Sequence, residues 1–384
     1  MVGVAKSQRK QRARKRKGEV SPSSPPLAQT LKCAMAIPIF DGHNDAFLKL
    51  YRGERGDGAS FLERSSEGHL DLERAKEGDF AGGFFALFSP SDEDLEAGLT
   101  KTPEGYTIPL SGPRDPALAL EDTLAMAAEL FRTEAASKGE FKVVRTVGEL
   151  RECLDKDVMA AIFHIEGAEA LDTDLDRLTV LYQAGLRSVG IVWSRPNTFG
   201  TGVPFSFPAH PDIGPGLTDA GKRLVKACNH LGVMLDLSHL NAKGFWDVAE
   251  LSDAPLVATH SNAYALSHSP RNLTDEQLTA IRASDGMVGL NFAVAFLRED
   301  GQRVPDTGLD VMVRHVDYLV DKLGIDRVGL GSDFDGATIP KDLSDVTGLP
   351  NLVEALRDYG FDQEGLEKLC YKNWLRVLEK TWRE

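Results

Sequence analysis

The chain has 384 residues, of which 42% are hydrophobic, so it is long enough to bury a large core. Its formal net charge is −14, but residues 1–20 contain eight lysines and arginines against one acid. The rest of the chain has 36 basic and 57 acidic residues, a net charge of −21. The strong negative charge of residues 21–384 argues against nucleic acid as the main partner.

The basic stretch has no helical periodicity and no apolar segment of the kind found in signal peptides, and it continues into a Ser/Pro-rich segment, residues 21–26. This composition is typical of a disordered extension, and an arm that binds nucleic acid or a membrane surface is the alternative. We predict an extension over residues 1–34 and one catalytic domain over residues 35–384.

Two features indicate a soluble protein of a reducing compartment. The chain has no run of eighteen apolar residues, so we predict no membrane span. The four cysteines are scattered without a C-x-x-C pair, which favours a cytoplasmic location. They are Cys33, Cys153, Cys228 and Cys370.

Eight short apolar or β-branched runs recur along the chain, each followed by a stretch of helical character. This alternation is expected for a parallel sheet with crossover helices and predicts an α/β fold, a (β/α)8 TIM barrel of the metal-dependent hydrolase type. The predicted strands are residues 36–40, 83–88, 160–165, 186–192, 233–237, 255–259, 287–292 and 327–331.

Helix signals separate these strands. A helix is predicted to begin after Thr218 and to end before Gly232, and residues 274–277 have the capping-box pattern. Apolar residues at helical spacing predict a third helix from Leu309 to Leu323. Two long insertions, residues 89–149 and 194–217, are predicted to be functional or lid-like.

Histidines and acids cluster at the C-terminal ends of the predicted strands, the face that carries the active site in such barrels. His43 and Asp45 follow the first strand two residues apart, so their side chains point the same way. Glu166 follows the third strand, His239 the fifth and His260 the sixth. A lone histidine at a strand end is more often structural, but four agreeing strand ends favour a metal centre.

We therefore predict two zinc ions about 3.5–4 Å apart. His43 and Asp45 hold one ion, His239 and His260 hold the other, and Glu166 bridges them. Such a pair lowers the pKa of a bridging water towards 7 and polarises a carbonyl, which is what amide hydrolysis needs.

After the eighth strand, Asp333 is placed to move a proton from the attacking water to the leaving amine, whereas Asp335 is interpreted as a partner of loop amides. Arg271, next to Asn272, is placed to bind a substrate carboxylate, with a plain surface position as the alternative. The sequence His69-Leu-Asp71 repeats the spacing of the first two ligands but precedes a helical stretch, so we interpret it as a surface or capping segment.

Six ordered motifs resemble the membrane (renal) dipeptidase family of zinc peptidases, peptidase family M19, especially its bacterial-type members. The resemblance runs from Ile37 to the C terminus. The motifs are residues 41–45, 166–167, 236–239, 259–261, 271–272 and 331–336.

The resemblance implies a binuclear zinc dipeptidase, often a homodimer, with the five ligands named above. It assigns the carboxylate-binding role to Arg271 and the catalytic-acid role to Asp333, beside the bridging Glu166. Members cleave dipeptides with an L residue first and an L or D residue second, and some open β-lactams.

The chain departs from the animal members where they place a substrate-contacting histidine after the fourth strand, because Trp193 stands there. An indole N–H donates a hydrogen bond but cannot take up a proton. We predict Arg271, Trp193 and Asn272 as substrate-binding residues.

Two alternatives to a dipeptidase are another amidohydrolase-type hydrolase (a lactonase, a β-lactam-opening enzyme or a deaminase) and a non-catalytic metal-binding scaffold. Glu166 as the bridge argues against the first, and the complete ligand set argues against the second.

Overall fold

Eight parallel strands close into a barrel in the computed structural model, which describes residues 36–56, 58–90 and 98–383. The described residues form eleven strands, of which β3, β4 and β5 are not part of the closed ring. They are β1 (Ile39–Asn44), β2 (Phe80–Phe88), β3 (Thr100–Lys101), β4 (Tyr106–Thr107), β5 (Phe141–Val143), β6 (Met159–Glu166), β7 (Leu186–Gly190), β8 (Met234–Asp236), β9 (Val257–Ala258), β10 (Met287–Leu290) and β11 (Val328–Leu330).

The barrel order is β2-β1-β11-β10-β9-β8-β7-β6, and pairing of β2 with β6 closes the ring. Each predicted strand overlaps one barrel strand, so the (β/α)8 prediction is confirmed. Three short strands inside the first insertion were not predicted. β5 pairs with the start of β6, and β3 and β4 form an antiparallel hairpin. The predicted extension, residues 1–34, lies outside the described residues.

Helices follow the barrel strands. Their bounds are Ala46–Tyr51, Leu72–Glu77, Pro116–Ala136, Val147–Asp155, Asp176–Ala184, Asp219–Leu231, Ala242–Leu251, Asp275–Ala283, Val294–Leu297, Leu309–Leu323, Leu349–Tyr359, Gln363–Glu367 and Asn373–Thr381.

The three predicted helices are present. Thr218 caps one by accepting a hydrogen bond from the Gly221 N–H at 3.0 Å, and Thr274 and Gln277 form a complete capping box. In the part of the chain that the structure covers, every helix is too short or too polar to cross a bilayer.

The alternation of side chains along β6 shows how the barrel places the active site. Phe163 and Ile165 face the outer core between strands and helices, whereas Ile162 faces the barrel interior. His164 and Glu166 continue the inward row, because residues two apart on a strand share a face. The barrel interior is therefore apolar towards the N-terminal ends of the strands and polar at their C-terminal ends. Its apolar part includes Phe40, Phe84, Ile162, Met234, Met287 and Trp374.

Candidate metal centre and active site

The five predicted metal ligands meet at the C-terminal end of the barrel, and all five are buried. His43 lies near the end of β1 and Asp45 directly follows it, while Glu166 is the last residue of β6. His239 comes three residues after β8 and His260 two residues after β9. The barrel thus brings together side chains that are up to 217 positions apart in the sequence.

Glu166 Oε1 is the common point of the cluster. It lies 3.0 Å from His239 Nε2, 3.5 Å from His260 Nε2 and 3.7 Å from His43 Nε2. The Nε2 atoms of His239 and His260 are 3.1 Å apart. His43 Nε2 also lies 3.5 Å from Asp45 Oδ2.

These separations fit a metal centre. Two ligand atoms bound to one zinc ion at about 2.0–2.1 Å in tetrahedral geometry lie roughly 3.4 Å apart. Within the described part of the chain, both ring nitrogens of His43 and Oδ1 of Asp45 are buried without a hydrogen-bond partner. Buried polar atoms are nearly always paired, and a cation at this point would supply a partner for His43 Nε2 and Asp45 Oδ1.

Hydrogen bonds to Thr259 fix which nitrogen of His260 faces the centre. The Thr259 hydroxyl donates its single proton to Asp236 Oδ2 at 2.6 Å, because a carboxylate only accepts. It must therefore accept the hydrogen bond from His260 Nδ1–H, 2.8 Å away. His260 Nε2 is left with a free lone pair directed at Glu166, as a metal ligand requires.

Asp236 and Ser194 lie next to the predicted ligands, but neither was predicted as a site residue. Asp236 Oδ1 accepts from the backbone N–H groups of Ser238 and Thr259, each at 2.9 Å, and so ties the two ligand-bearing strand ends together. Ser194 Oγ lies 2.7 Å from Nδ1 of His239. Asp236 belongs to the fifth-strand motif, which was the available signal.

Burial and neighbouring charges determine the protonation states of the cluster. Burial lowers the pKa of His239 and His260 well below the usual value, with help from the positive charge of Arg271, so both rings are neutral. Burial opposes protonation of His43 too, but the carboxylates of Glu166 and Asp45 outweigh it and raise its pKa to about 10. Burial also raises the pKa of Glu166 well above its usual value. Without a metal, the protonated His43 ring thus supplies the positive charge beside Asp45, and a divalent ion bound there would displace that proton.

Asp333 lies beside the first ligand pair. One of its carboxylate oxygens is within 4.8 Å of the ligand atoms of His43 and Asp45. Its Oδ2 accepts a hydrogen bond from Asn291 Nδ2 at 2.9 Å. Burial raises the pKa of the Asp333 carboxyl. Asp333 and His239 both have positive φ angles, of 59° and 68°, a conformation uncommon outside glycine and often found at functional sites.

Arg271 is buried next to the centre. Its Nη2 donates to the His260 carbonyl at 3.2 Å, its guanidinium lies 5.3 Å from the Phe296 ring, and its Nε has no partner among the described residues. Asn272 is placed differently, because its side-chain N–H groups donate to the carbonyls of Ser267 and Phe296 at 2.9 and 2.8 Å. These bonds fix the turn, while Asn272 Oδ1 is buried without a hydrogen-bond partner among the described residues. The substrate contact of Asn272 stays a prediction.

A sequence profile of the membrane dipeptidase family, peptidase family M19, matches residues 27–383. The chain belongs to this family.

Its similarity to solved structures is high. It is 54% identical to a metallopeptidase from Rhodobacter sphaeroides that was crystallised with a phosphinate mimic of the dipeptide L-Ala-D-Ala, with a TM-score of 0.88 over 90% of this chain and 100% of that one. It is 53% identical to dipeptidase AC, an M19 metallopeptidase, with a TM-score of 0.83 over 90% and 99% of the two chains.

An uncharacterised Klebsiella pneumoniae protein from the pqqA 5′ region is 50% identical over 274 residues, which are 71% of this chain and all of the relative. Membership of the M19 family makes the protein a hydrolase of the metallo-dipeptidase class.

The pocket of this M19 protein has an aromatic wall, which we define as Phe88, Trp193, Phe205 and Phe296. The Trp193 ring centroid lies 4.8 Å from that of Phe88 and 5.3 Å from that of Phe205. Phe205 in turn stacks on Phe296, with centroids 6.2 Å apart. The Trp193 ring is also 5.9 Å from that of His239. The wall therefore runs from Arg271 past the metal ligands.

The pocket volume is about 1380 Å³, more than the roughly 300–1,000 Å³ usual for small-molecule sites, so a dipeptide has room. Residues from both long insertions line it, including Tyr106 and Asp122 from the first and Phe205 from the second. Both insertions therefore border the active site.

Proposed function

We propose that the protein is a zinc-dependent dipeptidase that hydrolyses dipeptides with an L residue first and an L or D residue second. The observation that carries this proposal is the convergence of five predicted ligand side chains next to a buried arginine and a half-buried acid. The ligand of the Rhodobacter sphaeroides relative, a mimic of L-Ala-D-Ala, supports a D residue in the second position.

Two zinc ions per chain would be held in the proposed centre by His43, Asp45, Glu166, His239 and His260. When bound, the ions supply a water of lowered pKa and polarise the scissile carbonyl. The buried side chains of the predicted ligands fix the positions of the reacting groups.

Arg271 binds the substrate's C-terminal carboxylate. Its buried guanidinium, its unpartnered Nε and its position over Phe296 support this role. A guanidinium matches a carboxylate in geometry, and the interaction is strong in a desolvated site. The dipeptide then lies along the aromatic wall with its amide at the ligand cluster.

Asp333 moves the proton. Its carboxylate takes a proton from the attacking water and delivers it to the leaving amine as the C–N bond breaks. Burial raises the pKa of Asp333, which suits a group that must hold a proton between the two steps. The hydrogen bond from Asn291 to Oδ2 fixes the carboxylate and leaves Oδ1 for the reaction.

Trp193 takes the place of a histidine of the animal members, so it cannot exchange a proton with the substrate. Its contacts with Phe88 and Phe205 support a role as pocket wall, and they favour substrates with apolar side chains.

A hydrolysis screen tests the proposal, with L,L and L,D dipeptides, a β-lactam and a lactone offered to zinc-loaded and chelator-treated protein. We expect zinc-dependent cleavage of dipeptides and loss of activity with the chelator. Faster turnover of the lactone or β-lactam would favour another amidohydrolase-type activity. Protein that holds zinc but cleaves none of these would favour the scaffold alternative.

The same assay tests whether Arg271 binds the substrate's C-terminal carboxylate. Arg271→Ala is expected to raise KM for a free dipeptide far more than for the same dipeptide with an amidated C terminus. An equal loss on both substrates would contradict the role of Arg271.

A cytoplasmic location and a homodimer belong to the same proposal. Cys153, Cys228 and Cys370 are unpaired buried thiols, which supports a reducing compartment. Light scattering of the purified protein measures the oligomeric state.

A further inference from the structure

The loop that carries Asp333 is held by three side chains that the proposed reaction does not use. They are Arg55, His69 and Asp335, and we call them the brace. His69 belongs to the segment interpreted from sequence as surface or capping. Asp71 does cap the helix Leu72–Glu77 by accepting from the Arg74 N–H at 2.8 Å, but His69 lines the active-site pocket.

Asp335 is bound from three directions. Its Oδ2 accepts from Arg55 Nη2 at 2.5 Å, and its Oδ1 accepts from the His69 backbone N–H at 2.6 Å. Its own backbone N–H donates to His69 Nδ1 at 2.9 Å. The side chains of Arg55 and Asp335 are 1% and 0% exposed, so water does not compete for this ion pair.

These bonds also fix the state of His69. Because Nδ1 accepts from the Asp335 amide, it carries no proton, and the neutral ring has its hydrogen on Nε2. Burial lowers the pKa of His69, in agreement with a neutral ring. The ring packs against Phe334 with centroids 5.9 Å apart, so His69 contacts the loop through both a hydrogen bond and an apolar face.

The loop has a conformation that depends on such support. Asp333 and Asp335 have φ angles of 59° and 68°, in the left-handed region where side chains other than glycine are strained. Gly336 packs directly on the site, since a Cβ there would lie 2.2 Å from Asp45 Oδ2 and 2.5 Å from Asp333 Oδ1. A small shift of the loop would therefore move the acid relative to a metal ligand.

We propose that Arg55, His69 and Asp335 are positioning residues that set the place of the Asp333 carboxylate relative to Asp45. This inference rests on the proposed dipeptidase function, in which Asp333 transfers the proton. A misplacement of about 1 Å in a catalytic group can cost roughly 10²-fold in rate. The brace thus affects turnover through the place of the Asp333 carboxylate.

Two substitutions of His69 separate positioning from mere stability. His69→Leu removes the acceptor for the Asp335 amide, whereas His69→Asn keeps an acceptor oxygen on the γ-branch. We expect His69→Leu to lower kcat roughly 10–100-fold at unchanged zinc content and with KM within about twofold. His69→Asn should recover a large part of that loss.

Asp71→Asn is the matched control. It lies in the same segment and weakens a buried ion pair with Arg74, whose Nε is 2.6 Å from Asp71 Oδ2, but it makes no contact with the loop. It should lower Tm and leave kcat per bound zinc unchanged. If His69→Leu does not fold, Arg55→Lys tests the brace, because lysine keeps the charge but not the guanidinium geometry.

Hydrogen exchange of peptides that cover residues 332–336 provides a readout independent of catalysis. Exchange should be at least about tenfold faster in His69→Leu than in wild type or Asp71→Asn, because the Asp335 amide has lost its acceptor. Unchanged exchange, or a kcat that falls only in proportion to lost zinc, would overturn the proposal. Wild-type protein that cleaves no dipeptide would refute the proposed function alone, because the exchange result still decides whether the brace holds the loop.

Discussion

Replacing Thr259 by valine tests how the neighbours of a metal ligand fix its lone pair. The two side chains have the same shape, so the change removes a hydroxyl and adds little strain. In the wild type this hydroxyl donates to Asp236 Oδ2 at 2.6 Å and accepts from His260 Nδ1 at 2.8 Å. Both partners are 1% exposed, so water cannot replace the lost group.

The magnitude follows from these two contacts. A hydrogen bond to a buried charged group contributes about 1.5–3 kcal/mol, and a buried donor left unpaired costs about 1–3 kcal/mol. Because the two effects overlap, we expect the free energy of unfolding of the metal-free protein to fall by about 2–4 kcal/mol. Loss of a hydrogen bond that orients a ligand typically weakens metal affinity 10–100-fold, or about 1.4–2.8 kcal/mol.

Zinc affinity is measured by competition with a coloured chelator, and the free energy of unfolding by urea titration of the metal-free protein. Thr259→Ser is the control, because it keeps the hydroxyl and loses one methyl group, worth about 1 kcal/mol. It should bind zinc like the wild type. Equal zinc affinities of the valine and serine variants would refute the orientation of His260 by Thr259 and weaken the assignment of His260 Nε2 as a ligand.

Three further predictions concern the acid, the thiols and the barrel interior. Asp333→Asn should keep its zinc, measured by elemental analysis, while turnover falls roughly 10²-fold or more, and unchanged turnover would exclude the residue from the mechanism. Burial raises the pKa of Cys153 to about 11, that of Cys370 to about 12 and that of Cys228 as well, so at pH 8 their thiolate fractions are below that of an ordinary thiol. Mass spectrometry should find these thiols unalkylated in native protein and alkylated in denaturant, and rapid native labelling would contradict their burial. Trp374→Ala should lower the free energy of unfolding, measured by urea titration, by about 3–5 kcal/mol. The fully buried ring fills the barrel interior, and its Nε1–H donates to the Leu330 carbonyl at 3.1 Å. A loss below about 1 kcal/mol would mean that neighbouring side chains move to fill the cavity.

The sequence by itself determined the features that depend on local periodicity. The inward row of β6 has period two, so the direction of Glu166 follows from its spacing from Ile162. The helix starts at Thr218 and Thr274 follow from capping chemistry within a few residues. Because parallel strands of a barrel end on one face, the placement of the five predicted ligands after strands was enough to predict that they meet.

Only the tertiary structure decided which neighbours hold those ligands. Thr259 and Asp236 are 23 residues apart, and His69 and Asp335 are 266 apart, so no local pattern connects them. The position of residues 69–71 before a helical stretch suggested a surface or capping segment, because a local pattern does not show what lies opposite a side chain. The same limit applies to the side-chain N–H groups of Asn272, whose hydrogen bonds to the carbonyls of Ser267 and Phe296 no local pattern indicated. Periodicity fixes where a side chain points, and long-range packing decides what it meets.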